Sequence, residues 1–318
     1  MHPRTSATTR TLRAELLYLL YSRTILVAVA VISVGVVAAF FGSVSAARSA
    51  DAMFVHQVKT YERNGITLEQ ALSLPVTVTT DGSAETIDNP LKYDYLQVGT
   101  AVHAVDGVVP FIGTALDLVT FIVVPLLMIA LGLYSATTDR RTGTLRLKAT
   151  RDRWSTLVTA KLASLAVLAV ALTAAAALLA AVVALVGSPI VDGMHDEIAY
   201  TVVEPTSTSP LALKLAMTAG VAMFFGVVGY ATGTVTGASS WPLAIFALLL
   251  FVLPFVSVWD PRNLLAIVGS HVFDYWGQFK MRPPLPLETP TAVVALTGYL
   301  AIAAGIAALL PTARRRFG

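Results

Sequence analysis

Five long apolar runs dominate this sequence, and they constrain its fold more than any other feature. A helix that crosses a membrane needs about 20 consecutive, mostly apolar residues. Four of the runs have the length of one span, and residues 215–259 contain no charge and are long enough for two. We expect this longest run to turn at residues 237–242, because proline and small residues interrupt a helix. The sequence therefore predicts six transmembrane helices.

The predicted spans and their connections divide the whole chain. The transmembrane helices are residues 24–47, 111–134, 162–187, 211–237, 243–259 and 291–310. The remaining segments are residues 1–23, 48–110, 135–161, 188–210, 260–290 and the tail 311–318. The first span is too long for the apolar core of a secretory signal peptide, so we interpret it as a true span. Only 13% of the residues are charged, which would leave a soluble protein short of surface charge.

Once the uncharged turn at residues 237–242 is counted as a cytoplasmic segment, charge alternates between successive connecting segments, and this alternation predicts the orientation. The first, third and last of the six segments hold 14 of the 22 Lys and Arg, whereas the other three hold 15 of the 19 Asp and Glu. Basic residues concentrate in loops that stay in the cytoplasm. We therefore expect an all-α, multi-pass protein of the cell membrane with both termini in the cytoplasm.

Two segments outside the spans are expected to lie at the membrane surface. In residues 10–23, leucines recur at helical spacing beside three arginines, which predicts an N-terminal interfacial helix rather than a plain charged overhang. Residues 260–290 are half apolar, which favours an external segment that re-enters the outer leaflet over an ordinary loop.

The segment 48–110 is predicted to form a small extracytoplasmic cap. Residues 49–63 have a helical pattern, and Thr67 and Gln70 have the spacing of a capping box that opens a short helix. Val76–Thr80, followed by Asp81 and Gly82, is typical of a strand and a turn. Such a cap is large enough to cover an outer opening or to contact a partner.

Two features inside the spans have consequences for packing and chemistry. Asp117 is a candidate intramembrane polar site, because a carboxylate in a membrane helix faces the interior of the bundle or water. It either contacts a cationic substrate or a proton, or it is hydrated or bonded to a neighbouring residue. Gly229, Gly233 and Gly237 form two overlapping GxxxG spacings, which favour close internal packing over a dimer interface.

Motifs of catalysis and nucleotide binding are missing from the sequence. It contains no GxxxxGK[ST], HExxH or GxSxG pattern and no cysteine, and its histidines lack metal-ligand spacing. The formal net charge of +3 is too small to indicate nucleic acid as a partner. We therefore expect a protein that moves a substrate or binds a partner, without an enzyme site, metal or cofactor of its own.

The basic segment, residues 135–161, contains seven of the 22 Lys and Arg between two apolar runs. Asp139 precedes Gly143-Thr144-Leu145 by four positions, and Lys161 follows Gly143 by eighteen. This pattern resembles the ABC-2 family of ATP-binding-cassette exporter permeases, where an acidic residue, a GT-hydrophobic triplet and a lysine have this spacing. The six predicted spans extend the resemblance as architecture. The sequence departs from the family in having Asp139 instead of Glu and in lacking a proline near residues 150–152.

The resemblance implies that the basic segment forms a cytoplasmic coupling helix in a groove of a separate ATPase subunit, which binds ATP and Mg. Two permeases would pair, as a homodimer or heterodimer, and export an amphipathic or hydrophobic substrate. The expected ATPase contacts are Asp139, Arg140, Arg141, Gly143, Thr144, Leu145, Arg146, Arg151, Arg153, Trp154, Leu157 and Lys161. The alternatives are a membrane receptor or scaffold that senses an external ligand, a basic loop bound only to anionic lipid, and a secondary transporter.

Overall fold

A computed structural model of the chain describes residues 7–81, 84–144, 148, 150, 153–198, 209–273 and 284–316. Helices account for most of these residues. They are α1 (Ala7–Tyr21), α2 (Thr24–Arg63), α3 (Leu68–Ser73), α4 (Pro90–His103), α5 (Val108–Leu118), α6 (Val124–Arg141), α7 (Trp154–Glu197), α8 (Leu211–Thr236), α9 (Ser240–Phe251), α10 (Pro261–Gly269) and α11 (Thr289–Arg316). A π turn, Val119–Val123, joins α5 to α6. The strands β1 (Val78–Asp81) and β2 (Ala84–Ile87) form one antiparallel hairpin.

Within the described residues, five helices are long and apolar enough to cross a membrane. They are α2, the continuous rod Val108–Arg141, α7, α8 and the Thr289–Leu309 part of α11. The predominantly helical, multi-span character expected from the apolar runs is therefore present. The number of spans that cross and the side on which each terminus lies stay predictions.

Two of these helices, α2 and α7, extend far beyond the predicted spans. Helix α2 continues past residue 47 to Arg63, and it absorbs the helix expected at residues 49–63. The chain has no glycine or proline between Gly42 and Gly65, where φ reaches +81°, so no residue in this stretch breaks the helix. Helix α7 begins at Trp154 and ends at Glu197, which makes the first part of the predicted loop 188–210 helical.

The structure differs most from the prediction at the fifth span. Residues 243–259 were expected to cross the membrane, but α9 has 12 residues and a length of about 18 Å. This is shorter than the hydrocarbon core of a bilayer, which is about 30 Å thick. The helix ends before Pro254, where the Arg262 side chain donates hydrogen bonds to the carbonyl groups of Leu249, Leu253 and Pro254. Pro254 has no N–H group to continue the helical hydrogen bonds, and Arg262 binds carbonyl groups that the helix end leaves without a helical partner.

The chain divides into two compact units, and the first comprises Met1–Gly35, Leu116–Ala177 and Ser209–Gly318. In this unit α6 packs directly against α8. A Cβ placed on Gly229 would lie 2.5 Å from the carbonyl oxygen of Ile129, and one placed on Gly233 would lie 2.8 Å from the Cβ of Ala136. The prediction that these glycines serve internal packing is confirmed. Gly237 instead ends α8 in a left-handed conformation (φ +69°), at the predicted turn.

The second unit comprises Val36–Ala115 and Leu178–Thr208. Its interior contains an edge-to-face contact between the rings of Phe40 and Phe111, with centroids 5.3 Å apart. The capping box of Thr67 and Gln70 is present at the start of α3. The β hairpin lies where a strand and turn were expected, and it is a small addition to a predominantly helical fold.

Candidate functional site

Four charged side chains from distant parts of the sequence form a closed ionic cluster in the first unit. Glu15 comes from α1, Asp139 from the end of α6, Lys148 from the basic segment and Lys161 from α7. Lys148 Nζ lies 2.6 Å from Glu15 Oε1 and 2.8 Å from Asp139 Oδ1. Lys161 Nζ lies 2.8 Å from Asp139 Oδ2 and 3.5 Å from Glu15 Oε2. Each carboxylate therefore contacts both ammonium groups, and the formal charges of the cluster cancel.

Most of this ionic cluster is buried. Glu15 is 5% exposed, and Asp139 and Lys161 are each 6% exposed, whereas the Lys148 side chain is 32% exposed. Lys161 also donates a 2.7 Å hydrogen bond to the carbonyl oxygen of Ser135. Charges removed from water carry a desolvation cost of several kcal/mol each unless they are paired and hydrogen-bonded. The reciprocal pairing makes burial of these groups tolerable.

The surroundings of Lys148 favour its charged form. Burial alone would lower the pKa of Lys148, but hydrogen bonds and charge interactions with Asp139 and Glu15 outweigh burial and raise the pKa above its ordinary value. The ammonium group of Lys148 therefore stays protonated at neutral pH.

The turn after α6 explains the positions of Gly143 and Thr144 in the sequence motif. Gly143 has φ +71°, a left-handed conformation that glycine adopts without steric cost. This conformation ends the helix and reverses the chain. The Thr144 hydroxyl then donates a 3.2 Å hydrogen bond to Asp139 Oδ1. The Asp-x-x-x-Gly-Thr pattern is thus a local device that positions the Asp139 carboxylate in the ionic cluster.

The predicted ATPase contacts stay predictions, and the structure shows how far each described residue among them is exposed. Asp139, Lys161 and Leu157 are buried within the first unit, and the first two belong to the ionic cluster. The remaining residues whose surroundings the structure describes are exposed or half-buried: Arg140, Arg141, Gly143, Thr144, Arg153 and Trp154. Three predicted contacts lie outside the described residues: Leu145, Arg146 and Arg151.

The sequence analysis missed two members of the ionic cluster, Glu15 and Lys148. Glu15 is the first acidic residue of the chain, and its isolation among arginines was a signal that it needs a cationic partner. Thr11, Glu15 and Leu19 form the buried stripe of α1, at a spacing of four residues. Lys148 carried no such signal, since its contacts depend on the reversal of the chain at Gly143.

Helix α1 also contacts the end of α6 beside the ionic cluster. The hydroxyl oxygens of Tyr18 and Tyr134 are 3.4 Å apart. This hydrogen bond, together with burial and the nearby carboxylates, raises the pKa of Tyr18 to about 12. The interfacial position of α1 in a membrane stays a prediction, but its docking onto the transmembrane helices is a feature of the structure.

A second buried ion pair joins the π-turn region to α8. Asp117 Oδ1 lies 3.2 Å from Lys214 Nζ, and the two residues are 3% and 4% exposed. One turn away, the hydroxyl oxygens of Thr120 and Thr218 are 2.7 Å apart. Of the alternatives for Asp117, the structure supports the one in which its carboxylate is bonded to a neighbouring residue.

No family model, curated protein or solved structure matches this chain. The functional argument therefore rests on the residues and contacts described above.

Proposed function

We propose that this chain is the transmembrane permease subunit of an ABC-2 type exporter in the cell membrane. In this proposal a separate ATPase subunit binds ATP and Mg, and this chain couples hydrolysis to the export of an amphipathic or hydrophobic substrate. A second permease, identical or related, completes the complex. The observation that supports the proposal is the ionic cluster, which links the basic segment to three helices at once.

A coupling element has to transmit a displacement from one protein to the helices of another. A free loop would absorb such a displacement, whereas a segment linked to α1, α6 and α7 by paired, buried charges moves those helices with it. If these helices have two packed arrangements, a partner that binds one of them more tightly shifts the equilibrium toward that arrangement. The ionic cluster has the position and the connections that this mechanical role requires.

The partner would contact the exposed side of the same segment. Arg141 and Arg153 are exposed, and Trp154 is half-buried at the start of α7. Arginines and aromatic residues are frequent anchors of protein interfaces. An acidic groove on an ATPase subunit would complement both the arginines and the tryptophan of this surface. An anionic membrane surface would complement only the charge of the arginines.

Co-purification with the ATPase encoded beside this chain tests the proposal. We expect the two subunits to co-purify, and Arg153→Glu and Trp154→Ala to weaken the complex at least tenfold and abolish stimulation of ATP hydrolysis. Lys59→Glu is the matched control, because Lys59 is exposed on α2, far along the sequence from the basic segment.

Transport in proteoliposomes decides the outcome. ATP-dependent accumulation of an amphipathic dye supports the exporter. Binding of an external ligand without ATP-dependent movement would instead support the receptor, and ATPase activity that is indifferent to both variants would refute the coupling surface.

A further inference from the structure

The first unit contains a cavity of about 680 Å³ between α8, α9 and α11, beside the chain that connects α9 to α10. Its volume is in the range of small-molecule binding sites. Aromatic and aliphatic side chains form most of its wall, among them Phe225, Val228, Leu250, Ile302 and Ala303. A ligand of this cavity would therefore be largely apolar.

Among the described residues that line the cavity, only Asp260 and Arg262 carry charge, and they bind each other and the backbone. Arg262 donates from Nε and Nη2 to the Asp260 carboxylate, and from Nη1 and Nη2 to three carbonyl groups near the end of α9. These bonds account for all N–H groups of an arginine. The cavity wall therefore offers no free guanidinium donor to a charged ligand.

The Asp260 carboxylate is also hydrogen-bonded within the protein. Its carboxylate accepts hydrogen bonds from the backbone N–H groups of Val256, at 3.2 Å, and Arg262, at 2.9 Å. Burial alone would raise the pKa of Asp260, but the bonds from Arg262 and the backbone outweigh it and lower the pKa. The charged pair thus satisfies the backbone where α9 ends, and it leaves the interior of the cavity apolar.

The rim of the cavity has the composition of a membrane interface at one end. Trp259 is 49% exposed, and its carbonyl oxygen accepts a 3.0 Å hydrogen bond from the Tyr299 hydroxyl. Tryptophan and tyrosine are enriched at the level of lipid headgroups. Val256 and Ile302, also on the wall, are 79% and 61% exposed. The cavity is therefore open to the surroundings of the helices along an apolar edge.

The short length of α9 leaves apolar surface uncovered, which favours an apolar ligand in the cavity. With its 12 residues, this helix covers only part of a bilayer's hydrocarbon thickness, and its early end leaves apolar side chains of α8 and α11 facing empty space. Water is a poor occupant of such a space, because it would find few hydrogen-bond partners there. A hydrocarbon chain that enters from the membrane fits both the wall and the open edge.

We propose that this cavity binds one acyl chain of a membrane phospholipid, with the polar headgroup at the level of Trp259 and Tyr299. Because Arg262 is saturated by the protein, binding is indifferent to the charge of the headgroup. The site belongs to the fold of the first unit and does not depend on the proposed coupling to an ATPase.

Native mass spectrometry of the detergent-purified protein with added phosphatidylcholine tests this site. Ala303 is buried in the wall, so Ala303→Phe fills the cavity and should reduce retained lipid at least tenfold. Ala301→Phe is the matched control, because Ala301 is exposed on the same helix and does not line the cavity. Ile306→Trp blocks the rim at a partly exposed position and gives the same test without changing the buried wall.

Fluorescence provides an independent measurement in a variant that keeps Trp259 as its only tryptophan. Phosphatidylcholine with brominated acyl chains should quench Trp259 saturably at low mole fraction, and phosphatidylglycerol with the same chains should quench it equally. Ala303→Phe should abolish the saturable phase. Quenching that only follows bulk lipid fraction, equal lipid retention by Ala303→Phe and Ala301→Phe, or a requirement for an anionic headgroup would each overturn the proposal.

Discussion

Replacement of Asp139 by Asn tests the ionic cluster most directly, because it removes one charge while preserving the shape of the side chain. Asp139 contacts both lysines at 2.8 Å, and one of them, Lys161, is almost completely buried. Among the charged residues that the structure describes, Lys161 in the variant keeps only Glu15, at 3.5 Å, as a partner. We therefore expect Asp139→Asn to destabilise the protein severely.

The expected magnitude follows from the geometry. Loss of one partner from a buried ion pair costs about 3–5 kcal/mol of the free energy of unfolding, since an uncompensated charge remains inside. Glu15→Gln should cost less, about 1.5–3 kcal/mol, because its short contact is to the partly exposed Lys148. Glu197→Gln is the control: its pair with Arg48 is exposed, and such pairs contribute about 0–1 kcal/mol.

Unfolding of the purified protein in detergent, followed by helical circular dichroism against temperature and denaturant, measures these differences. A double-mutant cycle with Glu15→Gln and Lys148→Gln isolates the coupling of that pair, which should exceed about 0.5 kcal/mol. If Asp139→Asn is no less stable than Glu197→Gln, or if the cycle shows no coupling, the ionic cluster does not stabilise the fold as described here.

Three further predictions concern other contacts. Asp117→Asn leaves the Lys214 ammonium buried and should lower stability by about 3–5 kcal/mol, whereas Asp117→Asn with Lys214→Met should recover most of the loss in the same unfolding assay. Gly229→Ala should lower the melting temperature because its Cβ would meet the backbone of α6, while Gly220→Ala, with open space around it, should not; equal effects would contradict the packing of α6 on α8. The raised pKa of Lys148 means that its stabilising contribution is complete below the ordinary value of 10.5 and is lost as the pH rises through the folded-state pKa. Melting temperature against pH should therefore fall at alkaline pH in the wild type, and Lys148→Met should flatten this fall.

The long apolar helices were predictable because the signal is local. A run of apolar residues identifies a membrane helix wherever the rest of the chain lies, and the turn at Gly237 follows from residues that favour it without help from neighbours. The capping box at Thr67 and the hairpin in the cap belong to the same class, since each is decided within a few residues.

The early end of α9 was only partly predictable from local signals. Residues 243–259 have the hydropathy of a full span, but Pro254 interrupts the helical hydrogen bonds inside this run, and Arg262 binds carbonyl groups at the helix end. The proline is a local signal, whereas the bonds from Arg262 depend on the folded chain, because its donors reach those carbonyl groups only there.

The sequence by itself determined that the chain is helical and has the hydropathy of a multi-pass membrane protein. It also determined that a basic segment, with Asp139, Gly143 and Lys161 at a defined spacing, separates two apolar helices. Only the tertiary structure decided that Asp139 and Lys161 face inward. Their burial requires Glu15, which approaches Lys148 across 133 residues of sequence, and no periodic pattern connects groups so far apart. Hydropathy is a property of each segment alone, whereas pairing of buried charges is a property of the helices packed together.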